Sequence, residues 1–360
     1  MPQQKRAFLT KILEERGLKK GSRVMIIGNY AGMNLGDEAI LMSMVSDLEQ
    51  FTQRSKIYVP TRNRGLIRYI HRVKPVSFNP LLLLLALKRV NSIVIGGGSI
   101  FSNFAGRYVY FLPFFLILAK LMRRKIIFYS IGFDSNTPRF LKSGAEFSLL
   151  LSNYISVRDT QSLKNLRLLS KLRKINIVPD PVLSIYDVTG KKKAAEAKQK
   201  AETFLKKYKT GGRKLIGIAT LPVKDKNFNK MFVNKFPKLI SAQLDEHKNI
   251  DILAFNFYQG VDTGFNEKWT TKLDAGLKKR AHNITEWIDP LTMMEVLKQL
   301  DQFIAVRLHA KIFAHVAHSK YTAISYAQKC EAFCKSVNKT FYQYSKLLHS
   351  KFLAAIFSHA

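Results

Sequence analysis

Short apolar runs alternate with longer amphipathic stretches along most of this chain. Val24 to Ile27 is a continuous apolar segment of strand length. After a Gly- and Asn-rich loop, Ile40, Leu41, Met44, Val45 and Leu48 recur at helical spacing within Asp37 to Phe51. The pair predicts strand, loop, helix. The rhythm then repeats. Lys56 to Val59 is strand-like, Ser92 to Ile95 runs into Gly96, Gly97 and Gly98, and Lys125 to Ser130 runs into Ile131 and Gly132. Tyr154 to Val157 and Asn176 to Val178 close on polar residues. Residues 1–187 therefore read as an N-terminal α/β domain with a parallel sheet. Ligands of such sheets gather outside the carboxyl ends of the strands, where these turns fall.

From Lys191 to Lys214 the chain carries ten basic and two acidic residues among strong helix formers and ends in Gly211 and Gly212, which predicts a basic linker over 188–214. The alternation restarts at Leu215 to Ala219 and continues through Ile250 to Phe255, a helix near Pro290 to Leu300, a strand at Phe303 to Val306 and a helix from Leu308. A second α/β domain is expected over 215–335, so the fold class is α/β, with two Rossmann-like domains facing a cleft. Phe341, Tyr344, Leu348 and Phe352 lie on one helical face of a tail with lysines and no acid, predicting a basic amphipathic helix over 336–360. Tyr108 to Ala119 is the most apolar stretch. Interrupted by Pro113 and flanked by Arg107 and Lys120, it is too short to span a bilayer and reads as a buried helix.

Charge changes the picture more than composition does. Of 360 residues 59 are Lys or Arg and 25 Asp or Glu, a net charge of +34 that calls for anionic partners. Cys330 and Cys334 are too few for a disulfide framework, which fits a reducing compartment. The first twenty residues lack the apolar core of a secretory signal, so a cytoplasmic location is expected, with peripheral attachment at the inner face of the membrane accounting for the basic excess.

Four strand ends carry candidate chemistry. The loop from Gly28 through Asn34 and Gly36 to Asp37 and Glu38 opens a helix, where backbone N–H groups collect anions or polar ligands. Its spacing is neither a dinucleotide fingerprint nor a P-loop, and the two acids also suit a helix start. Gly97, Gly98 and Ser99 allow close approach to a ligand or simply form a tight turn. Arg158 lies beyond a third strand beside Asp159, as an anion grip or half of a surface pair. Arg307 and His309 open an apparent helix, an arrangement suited to an anionic substrate that needs a proton. His309, His315 and His318 fall on different helical faces, so no metal site is expected.

Taken in order, Gly28–Leu41 (GNYAGMNLGDEAIL), Val94–Ser99 (VIGGGS), Tyr129–Gly132 (YSIG), Ile155–Asp159 (ISVRD), Val178–Pro181 (VPDP), Val306–Ala314 (VRLHAKIFA) and Ile324–Lys329 (ISYAQK) resemble the polysaccharide pyruvyl transferase family. The resemblance implies a fold similar to the two-domain (GT-B-like) glycosyltransferases. It implies transfer of the pyruvyl group of phosphoenolpyruvate to two hydroxyls of a sugar, in a polysaccharide or lipid-linked glycan, as a cyclic ketal with release of phosphate. No cofactor or metal is implied. Arg158, Arg307 and Lys329 would hold the donor's phosphate and carboxylate, His309 would donate a proton, and Asp37 or Glu38 would act on an acceptor hydroxyl, with Asn34, Gly36, Gly97, Gly98 and Ser99 lining the site. The chain departs from the family in Tyr326-Ala-Gln-Lys329, where relatives commonly have Tyr-Asp-Pro-Lys. The rival expectations are a nucleotide-sugar glycosyltransferase, a non-enzymatic polyanion or nucleic-acid binder, disfavoured because no reader motif is present, and a family member that has lost catalysis.

Overall fold

The computed structural model describes residues 8–98, 100–101, 108–133, 137–166, 174–209, 211–244 and 249–345. The chain divides into two compact units, one made of Met1–Gly32 and Asp37–Thr189, the other of Met33–Gly36 and Gly190–Ala360. Each unit is built on one sheet.

The first sheet holds β1 (Val24–Ile27), β2 (Ile57–Pro60), β3 (Lys74–Val76), β4 (Ser92–Gly96), β5 (Lys125–Ile131), β6 (Tyr154–Val157) and β7 (Asn176–Ile177) in the order β3-β2-β1-β4-β5-β6-β7. Every pairing is parallel. Strands of such a sheet are covered on both faces, which is why β1, β2, β4 and β6 are buried along their whole length. Among the described residues the helices of this half are α1 (Leu9–Glu15), α2 (Leu35–Leu48), α3 (Arg64–His71), α4 (Pro80–Arg89), α5 (Tyr108–Leu121), α6 (Arg139–Leu150) and α7 (Thr160–Asn165). Their starts follow local chemistry: Asn79 accepts from Leu81 and Leu82 N–H ahead of Pro80, and Asp159 accepts from Ser162 N–H. Ile93, Ile95, Leu116 and Phe128 lie in one core cluster without solvent exposure, where truncating a single side chain to Ala costs about 2–5 kcal/mol.

The second sheet holds β8 (Lys214–Ala219), β9 (Ile250–Phe255), β10 (Ala281–Ile284), β11 (Gln302–Ala305), β12 (Tyr321–Ser325) and β13 (Phe341–Gln343), ordered β10-β9-β8-β11-β12-β13 and again parallel. A long helix, α8 (Ile185–Lys206), bends at Gly190 and precedes β8; among the described residues α9 (Lys226–Lys230), α10 (Phe236–Leu244), α11 (Asp262–Thr270), α12 (Ala275–Lys278), α13 (Pro290–Lys298), α14 (Leu308–Val316) and α15 (Gln328–Ser336) follow. Its core packs Phe228, Phe232, Phe236 and Trp269 against Ile216, Ile218 and Ile304. In both sheets the strand order reverses once, between β1 and β4 and between β8 and β11, and ligands of open α/β sheets bind at such reversals.

Four expectations are corrected. Residues 191–206, read as linker, continue a helix and belong to the second unit. The second sheet does not end at 335: Phe341–Gln343 is its edge strand, where a helix was expected, and the rest of that tail lies outside the described residues. The strands β3, β10 and β12 were not anticipated, the first two being short and rich in polar or proline residues. The fourth concerns α5, which is a helix as expected but not a buried one: Phe111 is 70% and Phe114 69% exposed. Among the described residues no helix is long and apolar enough to cross a membrane.

Candidate active site

In the first unit the predicted residues converge on the carboxyl ends of β1, β4, β5 and β6. The loop after β1 is tied down at two points. Tyr30 donates its hydroxyl to the Gly96 carbonyl at 2.7 Å, and Ala31, in the left-handed region at φ 61°, donates its N–H to Glu38 at 2.5 Å. The other oxygen of Glu38 meets His71 Nε2 at 2.7 Å, and both side chains are buried. Glu38 thus holds an otherwise unfavourable backbone turn in place. The carboxylate is engaged inside the unit and shielded from solvent.

Asp37, one residue earlier, is half-buried and accepts from Asn29 Nδ2 at 3.3 Å. The glycine turn passes beside it. A Cβ on Gly98 would stand 3.4 Å from Asp37 Oδ1, while one on Gly97 would overlap Ile40. Both glycines have positive φ, 73° and 75°, so the turn needs glycine for conformation as well as for space. Ser99 lies outside the described residues.

The next strand end is bent to meet that turn. Ser130 takes a φ of 51° at the register shift between β5 and β6, and Gly132 N–H then donates to the Gly98 carbonyl at 2.9 Å. Arg158 lies flat against Gly132, where a Cβ would come within 2.7 Å of its guanidinium carbon. Its charge is shared by Asp159 at 3.4 Å and Asp180 at 3.7 Å. Burial pushes the Asp180 carboxyl up, and the Arg158 charge pulls the other way. Asp180 was not anticipated as a site residue. The signal was the VPDP segment, whose acid also accepts from Val182 N–H to start a 3-10 turn.

In the second unit Arg307, the residue before α14, forks onto Asp262 with Nε donating to Oδ2 at 2.7 Å and Nη2 to Oδ1. Asp262 is fully buried and also accepts from Tyr258 N–H at 2.9 Å. Burial pushes its carboxyl up, opposed by the Arg307 guanidinium. Two of the five guanidinium N–H groups are spent on this fork and hold its plane in one orientation. The Tyr258 ring lies 5.9 Å beneath the guanidinium carbon.

Asn34 and Gly36 belong to this unit, through Leu35 N–H to the Phe257 carbonyl at 2.8 Å and an antiparallel bridge between Asn34 and Tyr258. Asn34 Oδ1 accepts from Gly36 N–H at 3.1 Å. The half-buried imidazole of His309 sits directly over Gly36, which has no room for a Cβ. Lys329, half-buried, is the second residue of α15 after β12, the neighbour of β11. In the Tyr326-Ala-Gln-Lys329 turn the Tyr326 ring packs 6.0 Å from Phe228.

Beneath this end lies Lys311, a residue not singled out for the site. It is fully buried on α14, and its ammonium donates to the Val306 carbonyl and, at 3.4 Å, to the Arg307 carbonyl. Burial pushes its pKa down, with Cys330 and Cys334 opposing. The Cys334 thiol is itself pushed up to about 11 by burial, so it stays protonated and unreactive. Among the described residues no group of three His, Cys, Asp or Glu side chains could hold a metal ion.

Each unit therefore presents, beyond the carboxyl ends of its strands, a buried carboxylate beside an arginine: Asp180 with Arg158 after β7 and β6, and Asp262 with Arg307, the latter at the reversal of its sheet. More than nine-tenths of the chain is similar in fold to several solved structures. The UDP-GlcNAc 2-epimerase of Neisseria meningitidis, solved with UDP-GlcNAc bound, is 11% identical over 93% of this chain and 91% of its own, with a TM-score of 0.60. The UDP-GlcNAc 2-epimerase of Methanocaldococcus jannaschii is 10% identical over 92% and 91%, with a TM-score of 0.60, and the trehalose 6-phosphate synthase of Burkholderia multivorans 10% identical over 94% and 91%, with a TM-score of 0.56. These likenesses establish the two-domain GT-B-type α/β fold. No curated protein matches the sequence. The sequence model of the polysaccharide pyruvyl transferases matches residues 34–327, and the chain belongs to that family. Membership makes it a transferase acting on a glycan.

Proposed function

We propose that this transferase takes the pyruvyl group from phosphoenolpyruvate and sets it across two hydroxyls of a sugar as a cyclic ketal. The donor's methylene carbon accepts one hydroxyl proton and becomes the ketal methyl; the second proton leaves on inorganic phosphate. Two C–O bonds form and the bond from carbon to the phosphate oxygen breaks, so atoms balance without a redox partner. Arg307, held flat by Asp262, offers its remaining N–H groups to the donor's phosphate or carboxylate, and Lys329 on the neighbouring strand end adds a second cation. His309 delivers the proton from its seat over Gly36. Asp37 takes a proton from an acceptor hydroxyl beside the glycine turn, and Arg158 adds anion-binding capacity there.

The observation that carries this proposal is the pairing of an oriented arginine with an imidazole on the first turn of α14, in a chain of this family. Thermal unfolding with phosphoenolpyruvate, inorganic phosphate and UDP-GlcNAc in parallel tests it. Phosphoenolpyruvate is expected to stabilise most, approaching about 2.7 kcal/mol at a hundredfold excess over Kd, with the effect reduced in Lys329→Met. Stabilisation by UDP-GlcNAc alone would instead assign a nucleotide-sugar donor.

A further inference from the structure

Gln50 to Phe133 contains fourteen Lys and Arg and no Asp or Glu. Within that stretch lie most of the exposed large apolar side chains among the described residues of the first unit. On α5, Phe111, Phe114, Leu118 and Leu121 follow one another at spacings of three and four, so they share one helix face, and Leu121 is 74% exposed. On α4, Leu81, Leu82 and Leu85 are also exposed, Leu81 at 64%. Lys88 and Arg89 are exposed too and fall on the same face of α4 about two turns further on. A cavity of about 400 Å³ lies between the two helices, lined by Ile27, Pro60, Phe78, Leu83, Leu84 and Phe115, and among the described residues its single charged lining residue is the exposed Arg62.

We infer that the α4–α5 face of the first unit seats on an anionic lipid bilayer, and that the cavity between the helices receives a hydrocarbon chain from it. Scattered exposed apolar residues are ordinary, whereas a continuous patch edged by cations is what a membrane surface requires. Phe and Leu enter the acyl boundary while Lys88 and Arg89 extend to the head-group phosphates. Arg62, lining the cavity, meets the head group of the chain held inside. The cavity is lined by apolar side chains and so favours hydrocarbon over a sugar. Charge argues against other occupants. A second copy carries the same +34, and the stretch of this chain after 345 contains lysines and no acid, so both are repelled by the basic surroundings of the patch.

The inference adds to the proposed function that the glycan acceptor is met at a membrane, with the cavity beginning at Ile27, immediately before the Gly28 loop. Vesicle binding itself does not depend on that function. Sedimentation with phosphatidylcholine vesicles, with and without phosphatidylglycerol, is the test. The protein is expected to bind the anionic vesicles, to weaken as salt rises, and to lose about tenfold or more of its affinity in Phe111→Ser/Phe114→Ser. Lys88→Glu/Arg89→Glu is expected to lose binding to a similar degree. All four positions are exposed, so folding is not at stake. In Phe114→Trp the new indole is expected to be quenched by lipids brominated on their acyl chains, which attraction to head groups alone does not produce. No binding to anionic vesicles, equal binding by the serine variant, an unquenched indole, or a dimer that buries Phe111 would each overturn the inference. The same variants are assayed for stabilisation by phosphoenolpyruvate. Lost vesicle binding with a retained donor response removes only the membrane face, and the converse removes only the donor assignment.

Discussion

Asp37 and Glu38 are adjacent acids at the head of one helix, and the structure gives them opposite surroundings. Glu38 is enclosed between Ala31 N–H and His71, 33 residues further on, while Asp37 stands at half burial beside the glycine turn. Nothing local separates the two, because any acid suits a helix start; the distinction comes from His71, which sequence order does not bring near. Glu38→Gln is expected to cost about 1–3 kcal/mol of unfolding free energy, read by denaturant titration, because an amide nitrogen replaces one of the two buried oxygens that meet Ala31 N–H and His71. Asp37→Asn is expected to keep its stability and lose turnover at saturating acceptor. The reverse pattern would exchange their roles. Gly36 gives a second contrast. Its φ is not in the left-handed region, so alanine is tolerated by the backbone, but the added methyl must displace His309. Gly36→Ala is expected to lower kcat by about a hundredfold or more with only a modest fall in Tm, and unchanged kcat would remove His309 from the chemistry.

At the level of elements, the apolar strands were legible because burial on both faces leaves an unbroken run, as in β1 and in Ile93–Ile95 of β4. The strand ends that carry Gly97, Arg158 and Arg307 were legible for the same reason, each following such a run. Edge elements were not. Lys-Pro-Val of β3 and Ala-His-Asn-Ile of β10 lack that pattern and are strands because a neighbour offers them a ladder. The supports beneath the arginines were equally hidden, since Asp262 reaches Arg307 across 45 residues. Lys311 was in plain view within the quoted Val306–Ala314 segment, yet only the fold reveals that its ammonium braces two carbonyls at the end of β11. Its lowered pKa has a definite sign. The folded state binds this proton less tightly than the unfolded chain, so its contribution to stability is fully present above the ordinary lysine value of about 10.4 and is lost as pH falls through the lowered one. Within that alkaline window the wild type is expected to gain up to about 1.4 kcal/mol per pH unit more than Lys311→Met, measured by urea unfolding at stepped pH. Equal slopes would mean that Lys311 does not titrate there.

For the molecule as a whole, composition announced a cationic surface but not where it matters. The apolar run in α5 read as core because hydrophobicity records a preference for leaving water without saying what replaces the water. Only the fold shows that Phe111 and Phe114 face outward within a stretch free of acids. The two sheets were legible as two α/β halves, and the family resemblance extended that to the class of chemistry. The claim on which the account turns is that the group transferred is pyruvyl and its source is phosphoenolpyruvate. The direct measurement is incubation of the purified chain with phosphoenolpyruvate labelled in its carboxyl carbon and a pool of glycans extracted from the cells that encode it. The expected result is acid-labile label in the glycan, one phosphate released for each pyruvyl incorporated, and neither in His309→Ala. Phosphate release without labelled glycan, or sugar incorporation from UDP-GlcNAc with no use of phosphoenolpyruvate, would contradict it.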